Sequence, residues 1–447
     1  MKVSKPKSLP ELMSLFVNIT PEQWAFTSRF KATDEKGRYL HWDKFKRIYT
    51  KDTELSWLFT KMSRQSLINN IDIGGQSFSF CVPDSLQALL HFIDKNSGGS
   101  VGISSLAGLS KTEQNQFLLK SLVMEEAITS AQLEGAVTTR KVAKEMLETE
   151  RKPKTKDEMM ILNNYYLMKK AIKLKDKSLT LEMILSLHKT ATNQAIENNA
   201  VSGEFRKDDG IHIADYDGNI IHQPPSFNQI EKLMKAYCEF ANTEHNGEAN
   251  TFIHPVIKAI ILHFLIGYIH PFGDGNGRTA RALFYWFMLK NGYWLFEYIS
   301  ISRLLKEAPV KYASSYLYTE TDELDMTYFI YYQAEIIKRA IYDLERYICD
   351  KQNRFKEFVF IIASYTQTIS PKLSARQIQI LQKAVKENGH IFTAKEVSNE
   401  FNISENTARK DLNRLLELNL LGQIKLGQTL GYISPNDLIE RLKVKEK

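Results

Sequence analysis

Two apolar runs, Phe252 to Ile269 and Gly277 to Leu289, are long enough to be helices, and the residues between them limit how they meet. The stretch reads His270-Pro-Phe-Gly-Asp-Gly-Asn-Gly-Arg-Thr-Ala-Arg281. Pro271 lacks an amide donor and disfavours a helical predecessor, so the first helix must stop at about His270, which then faces a loop. Gly273, Gly275 and Gly277 permit tight or left-handed backbone. The second helix begins where amides lack intrahelical acceptors and the dipole favours an anion. Arg278 and Arg281, three apart, share a face and can add charge-assisted bonds to that anion. The pattern predicts a phosphate cradle beside one candidate base, His270, and one acid, Asp274.

A chain of 447 residues has room for two or three domains of about 100 to 200 residues. Cys81, Cys238 and Cys349 have no short spacing, which argues against a disulfide framework or a zinc site and for a reducing compartment, the cytoplasm by default. The basic start, Met-Lys-Val-Ser-Lys-Pro-Lys, is followed by no apolar signal-peptide core. Lys258 and His263 interrupt the most apolar helix, so no membrane span is predicted. The net charge of +7 is mild for this length and selects no partner class.

Residues 1–110 form an N-terminal extension with a charged and aromatic stretch, Arg38 to Phe45, that reads as buried aromatics on a loop or helix or, more sharply, as a partner-docking element. Asn96 to Ser100 reads as a flexible connection. A helix from about Lys111 to Glu134 follows, with Gly135 as a left-handed cap and with Ser130 and Glu134 on one face. Further helices are expected at Thr138 to Leu147, Lys156 to Leu174, Leu179 to Gln194, Phe227 to Thr243, Ser300 to Tyr318 and Asp325 to Glu357. Between them, Ile211 to His222 carries two β-branched runs around an Asp-Gly turn, a hairpin signal. His212 and His222 in that hairpin read as surface residues. The expected fold is therefore mainly α with little strand.

After Pro371 three short helices are expected near Ser374 to Asn388, Thr393 to Phe401 and Ser404 to Leu418, then a strand-like Gly422 to Ile433. The segment 371–447 looks like a winged helix-turn-helix, with Ser404 capping the second helix and Lys425 to Tyr432 as the wing. It holds 13 Lys or Arg and 9 Asp or Glu, a net +4.

The His270 to Arg281 stretch matches every fixed position of the Fic family signature, and the helical order of residues 115–350 is similar to that family's. The resemblance implies a Fic catalytic domain over 136–357 that transfers AMP from ATP, with Mg2+, to a Tyr, Ser or Thr hydroxyl of a target protein. It makes His270 the general base and Asp274 the magnesium ligand. Gly275, Asn276, Gly277 and Thr279 belong to the nucleotide cradle, with Arg278 on the β-phosphate and Arg281 on the γ-phosphate. Phe272 reads as an apolar anchor for the loop. The intact Gly-Asn-Gly resembles AMP-transferring members, whereas the Doc kinases carry an altered cradle.

Ser130-Ala-Gln-Leu-Glu134-Gly135 matches the family's inhibitory pattern, on a helix (111–135) that precedes the signature. The resemblance implies that Glu134 pairs with Arg281 and keeps ATP from binding productively, and that the same glutamate can support removal of AMP. Gly203-Glu-Phe205-Arg206 and the hairpin residues Ile211, His212, Ile213, Ile220 and Ile221 resemble the flap to which a target segment adds as a strand. The paired-tyrosine pattern of many relatives is not clear after Lys306, and Tyr312 is the candidate stacking residue. The rival reading is a DNA-binding regulator that senses nucleotide through the Fic domain and grips DNA through Arg409, Lys410, Arg414 and the wing. A winged helix also serves as a protein or dimer contact, and a homodimer through that module is expected.

Overall fold

The computed structural model describes residues 3–98, 123–196, 200–214, 218–248, 250–386, 389–426 and 429–443. These form two compact units, Met1–Leu344 and Glu345–Lys447, and the helix Thr327–Thr368 contributes residues to each. Among the described residues no helix is long and apolar enough to cross a membrane, and Cys81, Cys238 and Cys349 are free thiols.

The first unit is built on two antiparallel neighbours, the lead-in helix Pro255–Ile269 and the motif helix Asn276–Lys290. Pro255 opens the lead-in helix at a position that needs no amide, and the His254 side chain accepts from the Val256 amide. Ile260, Ile261, Leu262, Leu265 and Ile266 are fully buried. Each such side chain stabilises by about 1.5–3 kcal/mol relative to exposure, so this helix forms the centre of the core, and it ends where Pro271 follows His270. Helices Lys156–Lys173 and Leu181–Thr192 pack on the motif helix, and Ile230–Asn242 packs on the lead-in helix.

The N-terminal residues fold into this same unit. Helix Thr53–Gln65 leads into a hairpin, Ile68–Ile73 with Gln76–Cys81, paired from Ile68 with Cys81 to Ile73 with Gln76. Alternating runs around Gly74-Gly75 are a hairpin signature, and both glycines take positive φ. Arg38 to Phe45 follows the buried-aromatic reading: the Tyr39 hydroxyl donates to Asp325, 2.6 Å, and the Arg64 guanidinium lies 3.6 Å over the Tyr39 ring. Arg64 also donates to the Tyr328 hydroxyl, and Lys61 pairs with Asp322, so the extension is tied into the core by buried charge.

Three expected elements differ, the first being the helix expected from Asp325 to Glu357, which runs on as Thr327–Thr368. The single helix expected from Ser300 to Tyr318 is two, Ile301–Glu307 and Pro309–Thr321, because Pro309 forces Ala308 out of helical geometry. The hairpin expected over Ile211 to His222 has only Ile213–Ala214 against Ile220–His222, which leaves Ile211 and His212 outside the pairing. Residues 215–217 of its turn, and the expected helix before residue 123, lie outside the described residues.

In the second unit, helices Ala375–Lys386, Ala394–Phe401 and Glu405–Glu417 close on Leu381, Val397, Ala408, Leu412 and Leu415. Thr393 and Ser404 cap the last two, and Asn402 takes the left-handed turn between them. A three-stranded sheet places Thr429–Ile433 between Ile391–Phe392 and Gly422–Leu426. This is a winged helix-turn-helix arrangement.

Candidate functional site

His270 ends the lead-in helix in the left-handed region, φ 48° and ψ 57°, with its amide still bonded to the Ile266 carbonyl. Its Nδ1 lies 3.3 Å from the Gly267 carbonyl, which assigns the proton to that nitrogen and leaves Nε2 as the acceptor. Burial lowers the imidazole to about 4, so it is neutral at pH 7. A histidine at positive φ is strained, and Arg206 supplies the restraint. Its Nε donates to the His270 carbonyl at 3.0 Å, its amide to the Pro271 carbonyl at 2.9 Å, and its Nη atoms to Asp208, Asp209 and Pro225.

The loop from Phe272 to Gly275 is closed by Asn276, whose side-chain amide bonds both the amide and the carbonyl of Phe272. Phe272 is fully buried and stacks on the His188 ring, centroids 3.7 Å apart. Gly275 precedes the motif helix at φ 81°, and a Cβ there would lie 2.7 Å from the Thr192 methyl, so a side chain would be strained and would displace Thr192. Thr279 caps inward onto the Gly275 carbonyl. Arg278 is buried, donating Nη1 to the Ala191 carbonyl and Nη2 to Asp274 Oδ1 at 3.0 Å. Asp274 Oδ2 is buried with no hydrogen-bond partner among the described residues.

Residues 123–133 are helical, and Gly135 follows at φ 103°. From this helix Ser130 accepts from Arg281 through its hydroxyl and its carbonyl, and Glu134 Oε1 accepts from Arg281 Nη2 at 2.8 Å. A Cβ built on Gly277 would lie 2.2 Å from that same Oε1. The carboxylate therefore lies across the first turn of the motif helix, in the place the sequence marks as an anion cradle. The helix is docked by buried Glu126, which accepts from the Ser300 hydroxyl at 2.7 Å and from the Ser302 amide and hydroxyl. Burial raises the Glu126 carboxyl above the usual range, against the pull of Ser302, Ser300 and Arg281. Gln132 accepts from Lys306 at 2.7 Å.

Tyr312 bonds the His263 ring through its hydroxyl, 3.0 Å, within an aromatic group that includes Tyr316, Phe329 and Tyr332. Tyr316 makes the second tyrosine, one turn further along than the sequence reading looked. His212 is exposed, but His222 is not the surface residue expected. It is 6% exposed, with Nδ1 2.7 Å from Glu320 and Nε2 2.9 Å from the Tyr268 carbonyl. The short hairpin turns its last residue inward, which an alternating pattern alone does not reveal. Ile220 is 58% exposed, while Ile211, Ile213 and Ile221 are half-buried. His188 and Glu126 are site residues that the sequence does not mark, and Arg206, marked only as part of the flap element, proves to hold the His270 and Pro271 carbonyls. For His188 the one available signal was a histidine on the inward face of an apolar helix.

Residues 178–288 match the Fic/DOC family model, and residues 376–428 match that of the DeoR-like helix-turn-helix domain. The protein adenylyltransferase Fic of Drosophila virilis is 32% identical over 115 residues, which is 26% of this chain and 21% of the relative. That of Drosophila melanogaster is 31% identical over 115 residues, again 26% of this chain and 21% of the relative. The chain thus spans about a fifth of the length of these curated relatives. A crystal structure of a Fic family protein from Desulfovibrio desulfuricans is similar over 78% of this chain and 94% of its own, at 17% identity and a TM-score of 0.49. With the complete His270 to Arg281 motif inside the matched residues, this chain carries a Fic/DOC family domain, followed by a DeoR-like helix-turn-helix domain.

Proposed function

We propose that the first unit transfers AMP from ATP to a Tyr, Ser or Thr hydroxyl of a target protein and that Glu134 inhibits this transfer. The observation that carries the reading is the convergence of Arg281 and the first turn of the motif helix on one anion position, now held by the Glu134 carboxylate. In the reaction the target oxygen bonds to the α-phosphorus as the bond to the departing pyrophosphate breaks, and the hydroxyl proton passes to His270 Nε2. A neutral imidazole with its Nδ1 proton turned to the Gly267 carbonyl suits that step. The cradle amides and Arg281 hold the phosphates, and Gly277 leaves room for a phosphate oxygen where the carboxylate now lies.

Asp274 fits a magnesium ligand, since Oδ2 is a buried carboxylate oxygen with no other partner among the described residues. When bound, the ion would neutralise phosphate charge. Tyr312 and Tyr316 offer an aromatic wall for the base. Exposed Ile220 and the short strand beside it give an edge for the target segment. Once Glu134 withdraws from Arg281, the same carboxylate can direct water for removal of AMP.

The test is intact mass after incubation with ATP and magnesium. Glu134→Gly is expected to gain the mass of AMP, and Glu134→Gly with His270→Ala is not. Equal gain with and without His270 overturns its role as base.

For the second unit we propose duplex DNA as ligand, on the observation that Arg409 and Lys410 lie exposed on the Ser404-capped helix. Binding that weakens steeply with salt is the expected result, and no binding at low salt contradicts it.

A further inference from the structure

Asp274 is held from two directions, both by way of one neighbouring helix. His188, on Leu181–Thr192, accepts the Gly203 amide at Nδ1, 3.0 Å. Its proton therefore sits on Nε2, which donates to the Asp274 carbonyl at 2.8 Å. Arg278 anchors to the same helix through the Ala191 carbonyl and reaches the carboxylate itself at Oδ1. These bonds account for the Asp274 carbonyl and one carboxylate oxygen, and they leave Oδ2 as the free one.

Arg278 itself is poorly placed for another task. Its side chain has no exposed surface and both terminal nitrogens have protein acceptors. The resemblance implies a β-phosphate role for it; its two terminal nitrogens are committed to the framework, while Nε is buried without a partner among the described residues.

We infer that His188 and Arg278 are positioning residues that aim Asp274 Oδ2 into the cradle, so that helix Leu181–Thr192 sets the direction of the metal ligand. This rests on the transfer reading above. Partners of a metal-binding carboxylate typically change metal affinity by about 10–100-fold when removed.

The experiment uses the full chain with Glu134→Gly, Mn2+ as probe, and free Mn2+ followed by electron paramagnetic resonance in the presence of ATP. His188→Phe keeps a flat ring on Phe272 but removes the donor to Asp274, and it is expected to weaken Mn2+ retention about 10–100-fold. His188→Gln loses the stack but keeps an N–H donor, and it is expected to retain Mn2+ better than His188→Phe. If the ring matters only for packing, the order of the two variants reverses and the inference is overturned. Arg278→Lys is expected to weaken Mn2+ retention more than it weakens ATP binding in EDTA, and a loss of ATP binding in EDTA as large as the loss of Mn2+ overturns its positioning role. Mn2+ retention unchanged in His188→Phe overturns this inference alone. If Glu134→Gly with His188 intact retains no Mn2+ with ATP, the transfer reading falls as well.

Discussion

Arg278 and Arg281 lie one turn apart on the motif helix and each is 1% exposed, yet their surroundings differ in kind. Arg278 is bonded to the Ala191 carbonyl and to Asp274, four residues away. Arg281 is bonded to Ser130 and to Glu134, which lies 147 residues earlier. One guanidinium is tied to the framework at both terminal nitrogens, with Nε buried and without a partner among the described residues. The other is met by a carboxylate, which resembles a phosphate oxygen in charge and in hydrogen bonding, on a side chain 28% exposed. Two chemically identical residues of one motif thus meet different partners, a backbone carbonyl with a neighbouring carboxylate in one case and a hydroxyl with a distant carboxylate in the other.

Stability should separate the two flanks most strongly. Arg278→Ala leaves Asp274 and the Ala191 carbonyl without their partner and is expected to destabilise the first unit by about 3–5 kcal/mol in urea denaturation. A change under about 1 kcal/mol, of the size of an exposed pair, would end the distinction. On the other flank, Glu134→Gly removes a charge-assisted bond worth about 1.5–3 kcal/mol, so ATP affinity by calorimetry should rise by about 10–100-fold. Unaltered affinity would mean that the carboxylate does not compete for the cradle. Glu126→Gln tests how the inhibitory helix is held. Removing the buried charge that Ser300 and Ser302 serve is expected to cost about 1–3 kcal/mol and to raise ATP affinity less than Glu134→Gly does.

The smallest effect concerns pH. Burial holds the His270 imidazole at about 4, and the base acts unprotonated, so activity is lost only as pH falls through that value. For Glu134→Gly, kcat/KM should show no inflection from His270 between pH 8 and about 5. A limb with its midpoint near 6.5 would mean that the ring is solvated as an ordinary histidine.

How far the sequence carried the account follows from the range of each contact. Pro271 and the glycines act locally, so the helix end at His270 and the start of the motif helix were legible, whereas the left-handed backbone of His270, held by Arg206, was not. Ser130 and Glu134 were legible only through their place before the signature. Glu126 and His188 were not, nor was the hold of Arg206 on His270, because what matters about them is a bond to a carbonyl, amide or hydroxyl more than 60 residues away. The Ile68–Cys81 hairpin is less legible despite its Gly-Gly turn, because its strands are short and rich in Asn, Gln and Ser, so the apolar alternation is weak. The inward turn of His222 depends on where Glu320 and Tyr268 lie, which no spacing within the hairpin encodes.

The central claim is that Arg281 and the cradle hold the phosphates of an AMP donor once Glu134 is gone. Incubating wild type, Glu134→Gly and Glu134→Gly with His270→Ala with ATP labelled at either the α- or the γ-phosphate tests it most directly. The account predicts protein-bound label from the α-position only, strong in Glu134→Gly, weak in wild type and lost without His270. Label from the γ-position, or equal α-label in wild type and Glu134→Gly, would contradict it.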